Sequence, residues 1–302
     1  MGGPGHLRLL SRLLRQTVRR RAMILVIGCN GMLGSDLMTL LEGRGRGVDV
    51  RDLDITSLES TERLLTSLKP SVVINCAAYT DVDGCESNRE TAMLVNAEGV
   101  ANLARVTRGI GARLVQISTD YVFDGAKGSP YLEDDQTAPL SVYGQSKLLG
   151  ERNAATNPDH LIVRTQWLYG LQGNNFVETM LRLGTERECL TVVDDQIGSP
   201  TWTVDLSRAI LALLARGCRG TYHAANAGFC SWNEFARAIF REAGLGVRVE
   251  PMTTEQLNRP AKRPLYSTLD CSKLERDTGF RLQSWGDALT DYMKLRTHSN
   301  RG

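Results

Sequence analysis

The chain has 302 residues, 42% hydrophobic and 23% charged, with a net charge of +2, which is enough apolar material for a sizeable core. Six arginines fall within residues 1–35 and no acidic residue does; the remaining 30 basic residues face 34 acidic ones, so the body is mildly acidic and a general nucleic-acid-binding surface is not expected. No apolar run reaches the roughly 18 to 20 residues that cross a bilayer, and seven cysteines and four histidines show neither C-x-x-C pairs nor zinc-ligand spacing, so a reduced, cytoplasmic protein is expected, with no membrane span.

The opening segment MGGPGHLRLLSRLLRQTVRRRA places Leu7, Leu10 and Leu14 at helical spacing between arginines, the pattern of a basic amphipathic peptide or an organelle presequence. An extension upstream of Met23 would read the same way. Residues 1–22 are expected to lie outside the fold and to contribute little to function.

From Met23 the text becomes regular. MILVIG is a short apolar run suited to a buried parallel strand, and GMLGSDLMTLLEGRG follows with helical spacing and a glycine stop. Further strands are expected at VDVRDL, SVVINCA, RLVQIS, HLIVRT and LTVVDD. Between them lie helices at TSLESTERLLTSLK, across residues 88–111, around Tyr143 to Arg152, and at NFVETMLRLGTER. Strands alternating with helices imply an α/β protein with a Rossmann-type, doubly wound parallel sheet. Residues 23–170 read as a dinucleotide-binding domain. Past about 170 the alternation loosens into proline-containing loops, and 171–302 read mainly as a smaller substrate lobe, interleaved because TVDLSRAILALLAR can return to the sheet. No internal repeat or low-complexity segment is visible.

Two motifs carry chemistry. Gly28-Cys29-Asn30-Gly31-Met32-Leu33-Gly34 sits between the first strand and the first helix, where glycines let a backbone approach a pyrophosphate held on the helix N-terminus. The next strand ends in Asp49, Arg51, Asp52 and Asp54, which mixes the acid that binds a free ribose with the arginine that accommodates a 2′-phosphate, leaving NADPH and NADH both open. The second motif is Tyr143-x-x-x-Lys147, whose members share a helix face, so that a neighbouring cation is expected to lower the phenol pKa. Thr119 ends the strand RLVQIS, at the carboxyl edge where open α/β sheets bind ligands, and its hydroxyl can meet the same substrate oxygen as Tyr143. Together they read as one carbonyl-reducing site.

These motifs, with INCAAYTDVDGCE, LVNAEGVANLA, STDYVFDG, PLSVYGQSKLLGE, IVRTQWLYG, GNNFVETMLRL, VVDDQIGSPT and RPAKRPLYS, resemble the dTDP-4-dehydrorhamnose reductase family of extended short-chain dehydrogenase/reductases, over residues 23 to about 295. The resemblance implies hydride transfer from NADPH, with NADH open, to C4 of a dTDP-linked keto sugar. Tyr143 would be the general acid, Lys147 its cationic neighbour and a ribose ligand, and Thr119 the hydroxyl orienting the keto oxygen. Gly28, Asn30, Gly31, Met32, Leu33 and Gly34 would follow the pyrophosphate, Asp54 and Ile55 the adenine, and Ala77, Ala78 and Tyr79 the rest of the cofactor. Asp120, Tyr121 and Trp167 would line the sugar-nucleotide pocket, with core packing an alternative for Trp167. Arg259, Lys262 and Arg263 could meet the diphosphate or be solvated.

The family also suggests Mg2+ and a homodimer, although no acidic ligand set maps onto this sequence, so monomer and dimer both stand. A dehydratase would carry an acidic pair after the threonine, where this chain has Asp120-Tyr121. An epimerase shares the Tyr/Lys apparatus and stays open. A non-catalytic regulatory subunit, like the methionine adenosyltransferase β-subunit, is disfavoured because the whole set of pocket residues is present.

Overall fold

The computed structural model describes residues 23–299; the basic segment 1–22 lies outside the described residues. Six parallel strands form the central sheet: β1 (Ile24–Ile27), β2 (Gly45–Val48), β3 (Val72–Asn75), β4 (Arg113–Thr119), β5 (His160–Thr165) and β6 (Gly220–His223). Their order is β6-β5-β4-β3-β1-β2, so the winding reverses between β1 and β3. A crevice opens at the carboxyl ends of the strands where the order reverses.

The sheet is apolar on both faces because helices cover both. Ile24 and Val26 of β1, with Ile74, Val115, Ile117, Leu161 and Val163, pack against α1 (Met32–Leu41) and α6 (Thr203–Ala215). Leu25 and Ile27, with Val73, Leu114 and Ile162, pack against α2 (Leu58–Leu68) and α3 (Gly99–Gly109). Alternate residues of each strand thus enter different cores, which is why the strands read as unbroken apolar runs. The helix α4 (Val142–Ala154) follows β4, and α5 (Phe176–Glu186) follows β5.

A separate core gathers Tyr169, Val177, Trp202, Phe235, Phe240 and Tyr292, partly from α5 and α7 (Trp232–Ala243). Beside it Cys189–Val193 pairs in parallel with Arg248–Met252. Between these segments the chain returns to the sheet. Helix α6 lies on α1, with the Thr203 hydroxyl donating to Asp36 Oδ2, and β6 then pairs with β5.

Several elements differ from the sequence expectation. The second strand is Gly45–Val48, ahead of VDVRDL: the carboxylates of Asp49, Asp52 and Asp54 accept nearby backbone N–H groups and draw residues 49–56 into turns. The strand in LTVVDD belongs to the two-stranded pair, and the sixth strand of the main sheet is GTYH, too short and polar to stand out. The helix expected across 88–111 is broken by a π-helical turn, Leu94–Glu98.

Candidate active site

The loop after β1 is shaped by backbone alone. Gly28 takes φ of 76°, and its N–H donates to the Val48 carbonyl at 2.9 Å. Gly34 allows α1 to lie on that turn, because a Cβ there would stand 2.1 Å from the Gly28 carbonyl oxygen. Helix α1 has Gly31 at its N-cap, with no side-chain cap and no acidic residue in its first turn. Its N-terminal dipole and N–H groups are therefore open to an anion, and a Cβ on Gly31 would meet only the Gly28 oxygen, at 3.4 Å. The turn fits a pyrophosphate.

Two cavities adjoin at this turn. One, of about 330 Å³, is lined by Asp49, Val50, Leu53, Asp54, Ile55 and Ala77 among others. The other, of about 550 Å³, takes in Met32, Leu33, Gly34, Thr119, Asp120, Tyr121, Tyr143, Lys147 and Trp167. Gly28, Gly31, Cys76 and Ala78 line both, so a dinucleotide can run from the first cavity across the glycine turn to Tyr143 in the second.

Thr119 is the last residue of β4, and its hydroxyl donates to Asp120 Oδ1 at 2.9 Å while accepting the Tyr121 N–H at 3.2 Å. Ser141 caps α4 by accepting the Gly144 N–H, which sets Tyr143 in the first turn and Lys147 one turn on. Gly144 lets that turn approach: a Cβ there would lie 2.3 Å from the Tyr121 carbonyl oxygen. The Tyr121 and Tyr143 rings meet edge to face, centroids 5.4 Å apart. Helix α4 is then fixed from below. Glu151 takes two hydrogen bonds from the Arg164 guanidinium, 2.9 and 2.8 Å, and one from Ser118, all buried.

The electrostatics revise the expected tuning of the phenol. Burial raises the Tyr143 pKa above its ordinary value, hydrogen bonding with Thr119 opposes this only partly, and Asp120 adds to the rise. Lys147 is itself buried, with Nζ donating to the Ile117 carbonyl at 2.7 Å. Burial lowers its pKa to about 8, against the pull of Glu151. In this geometry desolvation dominates, and Tyr143 is held protonated, the form a proton donor needs. Asp120 is buried too, and its carboxyl is pushed up to about 6 by burial, opposed only in part by the nearby Ser267 hydroxyl and the hydrogen bond from Thr119.

Not every expected residue reaches the cleft. Asn30 is exposed, its N–H 3.3 Å from Asp49 Oδ2, and lines neither cavity. Tyr79 packs against Cys85, Ala92 and Val142, as Tyr143 does, and lines neither cavity. Arg263 is engaged bidentately by Asp83, at 3.0 and 2.9 Å, and Arg259 stands 3.7 Å from the same carboxylate; neither they nor Lys262 line the larger cavity. Trp167 does line it, in a left-handed conformation of φ 47° that is costly for a bulky residue, and stacked face to face on Trp232 at 3.6 Å. Among the described residues no cluster of three His, Cys, Asp or Glu could hold a metal ion, and no disulfide forms.

The sequence reading missed Thr165, Gln166, Asn174 and Trp232, all in the lining of the larger cavity. It also missed Asn96, in the π-helical turn, which bonds the Tyr79 backbone at both N–H and C=O and donates to Ser146 of α4. Local breaks of this kind often mark functional sites, but the periodicity of the surrounding helix hides them.

The sequence model for the RmlD substrate binding domain matches residues 22–297. The chain belongs to this family. A dTDP-4-dehydrorhamnose reductase of Streptomyces griseus is 46% identical over 278 residues, covering 88% of this chain and 91% of the relative. The crystal structure of a dTDP-4-dehydrorhamnose reductase from Clostridium acetobutylicum superimposes with a TM-score of 0.89 at 47% identity, covering 91% of this chain and 99% of that one. That of the Bacillus anthracis enzyme, in complex with NADP, gives 0.89 at 41% identity with the same coverage.

Proposed function

We propose that this RmlD-family protein is a dTDP-4-dehydrorhamnose reductase, taking hydride from NADPH to C4 of dTDP-4-dehydro-β-L-rhamnose and giving dTDP-L-rhamnose. The observation that carries the reading is the convergence of Thr119, Tyr143 and Lys147 in one cavity that adjoins the uncapped N-terminus of α1. The nicotinamide, when bound, supplies the hydride. Tyr143, kept protonated by burial, gives its proton to the C4 oxygen as negative charge develops there. Thr119 orients that oxygen by turning to it the hydroxyl hydrogen that is otherwise donated to Asp120 Oδ1. Lys147 places a positive charge under the site and within the cofactor's path. NADPH is favoured over NADH because Arg51 stands exposed beside Val50 of the smaller cavity, and because the Bacillus anthracis relative was crystallised with NADP. The seven unpaired thiols support a reducing, cytoplasmic setting, and no helix among the described residues is long and apolar enough to cross a membrane.

The test is incubation of the purified protein with authentic dTDP-4-dehydrorhamnose and NADPH or NADH, following loss of reduced nicotinamide and identifying the sugar by NMR. Stoichiometric oxidation of NADPH with formation of dTDP-L-rhamnose is expected. Absence of turnover with either cofactor would overturn the reading.

A further inference from the structure

Eight buried side-chain polar atoms lack a hydrogen-bond partner among the described residues, and three of them, Asp120 Oδ2, Thr165 Oγ1 and Gln166 Nε2, belong to residues that line the larger cavity. Buried polar groups are nearly always paired, so three orphans gathered at one cavity call for an explanation. They are not loosely placed. Thr165 ends β5 directly opposite Thr119 in the sheet register. Gln166 has its other end fixed, Oε1 accepting the Ser199 N–H at 3.0 Å, so Nε2 is left as a donor needing an oxygen. The Ser267 hydroxyl lies 3.5 Å from the same Oε1. It also contributes to lowering the Asp120 pKa, yet it makes no well-formed bond to Oδ2.

The three atoms differ in kind. Asp120 Oδ2 is an acceptor when ionised, Gln166 Nε2 a donor, and the Thr165 hydroxyl both. Acceptor, donor and a group that does either match the two neighbouring hydroxyls of a keto sugar, each of which donates and accepts. A phosphate would be repelled by Asp120. Gln166 is held by segments of the C-terminal part of the chain, those carrying Ser199 and Ser267, and not by the glycine turn that the dinucleotide would follow. We infer that Thr165 and Gln166, together with Asp120, bind the ring hydroxyls at C2 and C3 of the keto sugar and select for them. This rests on the reductase reading above. A site whose buried polar groups are completed only by substrate hydroxyls discriminates strongly against analogues without them.

The experiment compares the parental enzyme with Thr165→Val, Gln166→Leu and Gln166→Glu. The glutamate variant keeps the acceptor that holds the Ser199 N–H and exchanges the amide donor for a second buried carboxyl, so it is expected to be less stable than Thr165→Val. For all three, KM for dTDP-4-dehydrorhamnose should rise roughly tenfold or more, while the NADPH dissociation constant, read by fluorescence titration, and the melting temperature of Thr165→Val, which loses only an unpartnered hydroxyl, stay at parental values. The parental enzyme should lose efficiency with 2-deoxy or 3-deoxy congeners, and the variants should lose little further. Unchanged KM, weaker NADPH binding in place of weaker sugar binding, or equal losses with the deoxy congeners would overturn the assignment while leaving the reductase reading standing. A parental enzyme inert toward every dTDP-4-keto sugar would overturn both together.

Discussion

At the end of the cleft lined by Leu53, Ile55 and Ala77, the protein offers backbone and apolar surface, its acidic neighbours occupied by their own turns. At the other end it presents Asp120, Thr165 and Gln166 with sealed, unpartnered atoms and a strained tryptophan stacked on another. The first end holds its ligand by shape and a helix dipole, which tolerate variation around them. The second holds polar groups whose cost is relieved only by a matching partner. Affinity for a cofactor and selectivity for a sugar are thus lodged in different chemistry within one continuous groove.

Three changes separate these contributions. Tyr143→Phe keeps the ring against Tyr121 and removes only the hydroxyl; kcat should fall by at least about a hundredfold, with NADPH affinity and melting temperature unchanged. Parental kcat across the pH range would mean that another group donates the proton. At the glycine turn, Gly31→Val should raise the NADPH dissociation constant about tenfold or more at nearly parental stability, because the new side chain points to open cleft. Gly34→Val should instead lower the melting temperature, since its Cβ has no room above the Gly28 carbonyl. Equal effects in calorimetry and titration would erase the distinction between lining and packing glycines.

The smallest effect concerns Asp120. Its carboxyl is raised to about 6, so the native state binds this proton more tightly than the unfolded chain does, and the cost of the buried charge is fully present above that pH and absent below the ordinary carboxylate range. Asp120→Asn should therefore be more stable than the parent at pH 8, by about 1–3 kcal/mol, with the gap closing toward pH 4. Denaturant midpoints at the two pH values measure this, and a gap that widens on acidification would refute it.

What could be read from the sequence follows the same division. The glycine turn and β1 are contiguous text, and the Tyr143/Lys147 pair is set by one helical turn, so both were legible. Thr165 looked like the tail of an apolar strand and Gln166 the residue after it, while Trp232 opens a helix whose Ser231/Glu234 capping box only the structure shows; nothing local announces that the fold carries them to Tyr143. Arg263 is a related case. Its charge suggested a diphosphate, and its ion pair with Asp83, 180 residues away in sequence, could not be read from the text. The tuning of Tyr143 was likewise beyond reach, because desolvation depends on the closed fold and not on spacing.

The position of β6 has a consequence for how the chain assembles. β5 is complete at Thr165, but the strand that covers its outer edge arrives only with Gly220–His223, after the intervening segment has begun a core of its own. A chain emerging from the ribosome therefore carries an unpaired, largely apolar strand edge for the time needed to make those residues, a window in which edge-to-edge association competes with folding. Synthesis arrested between 165 and 220 should yield aggregates rather than a soluble nucleotide-binding fragment.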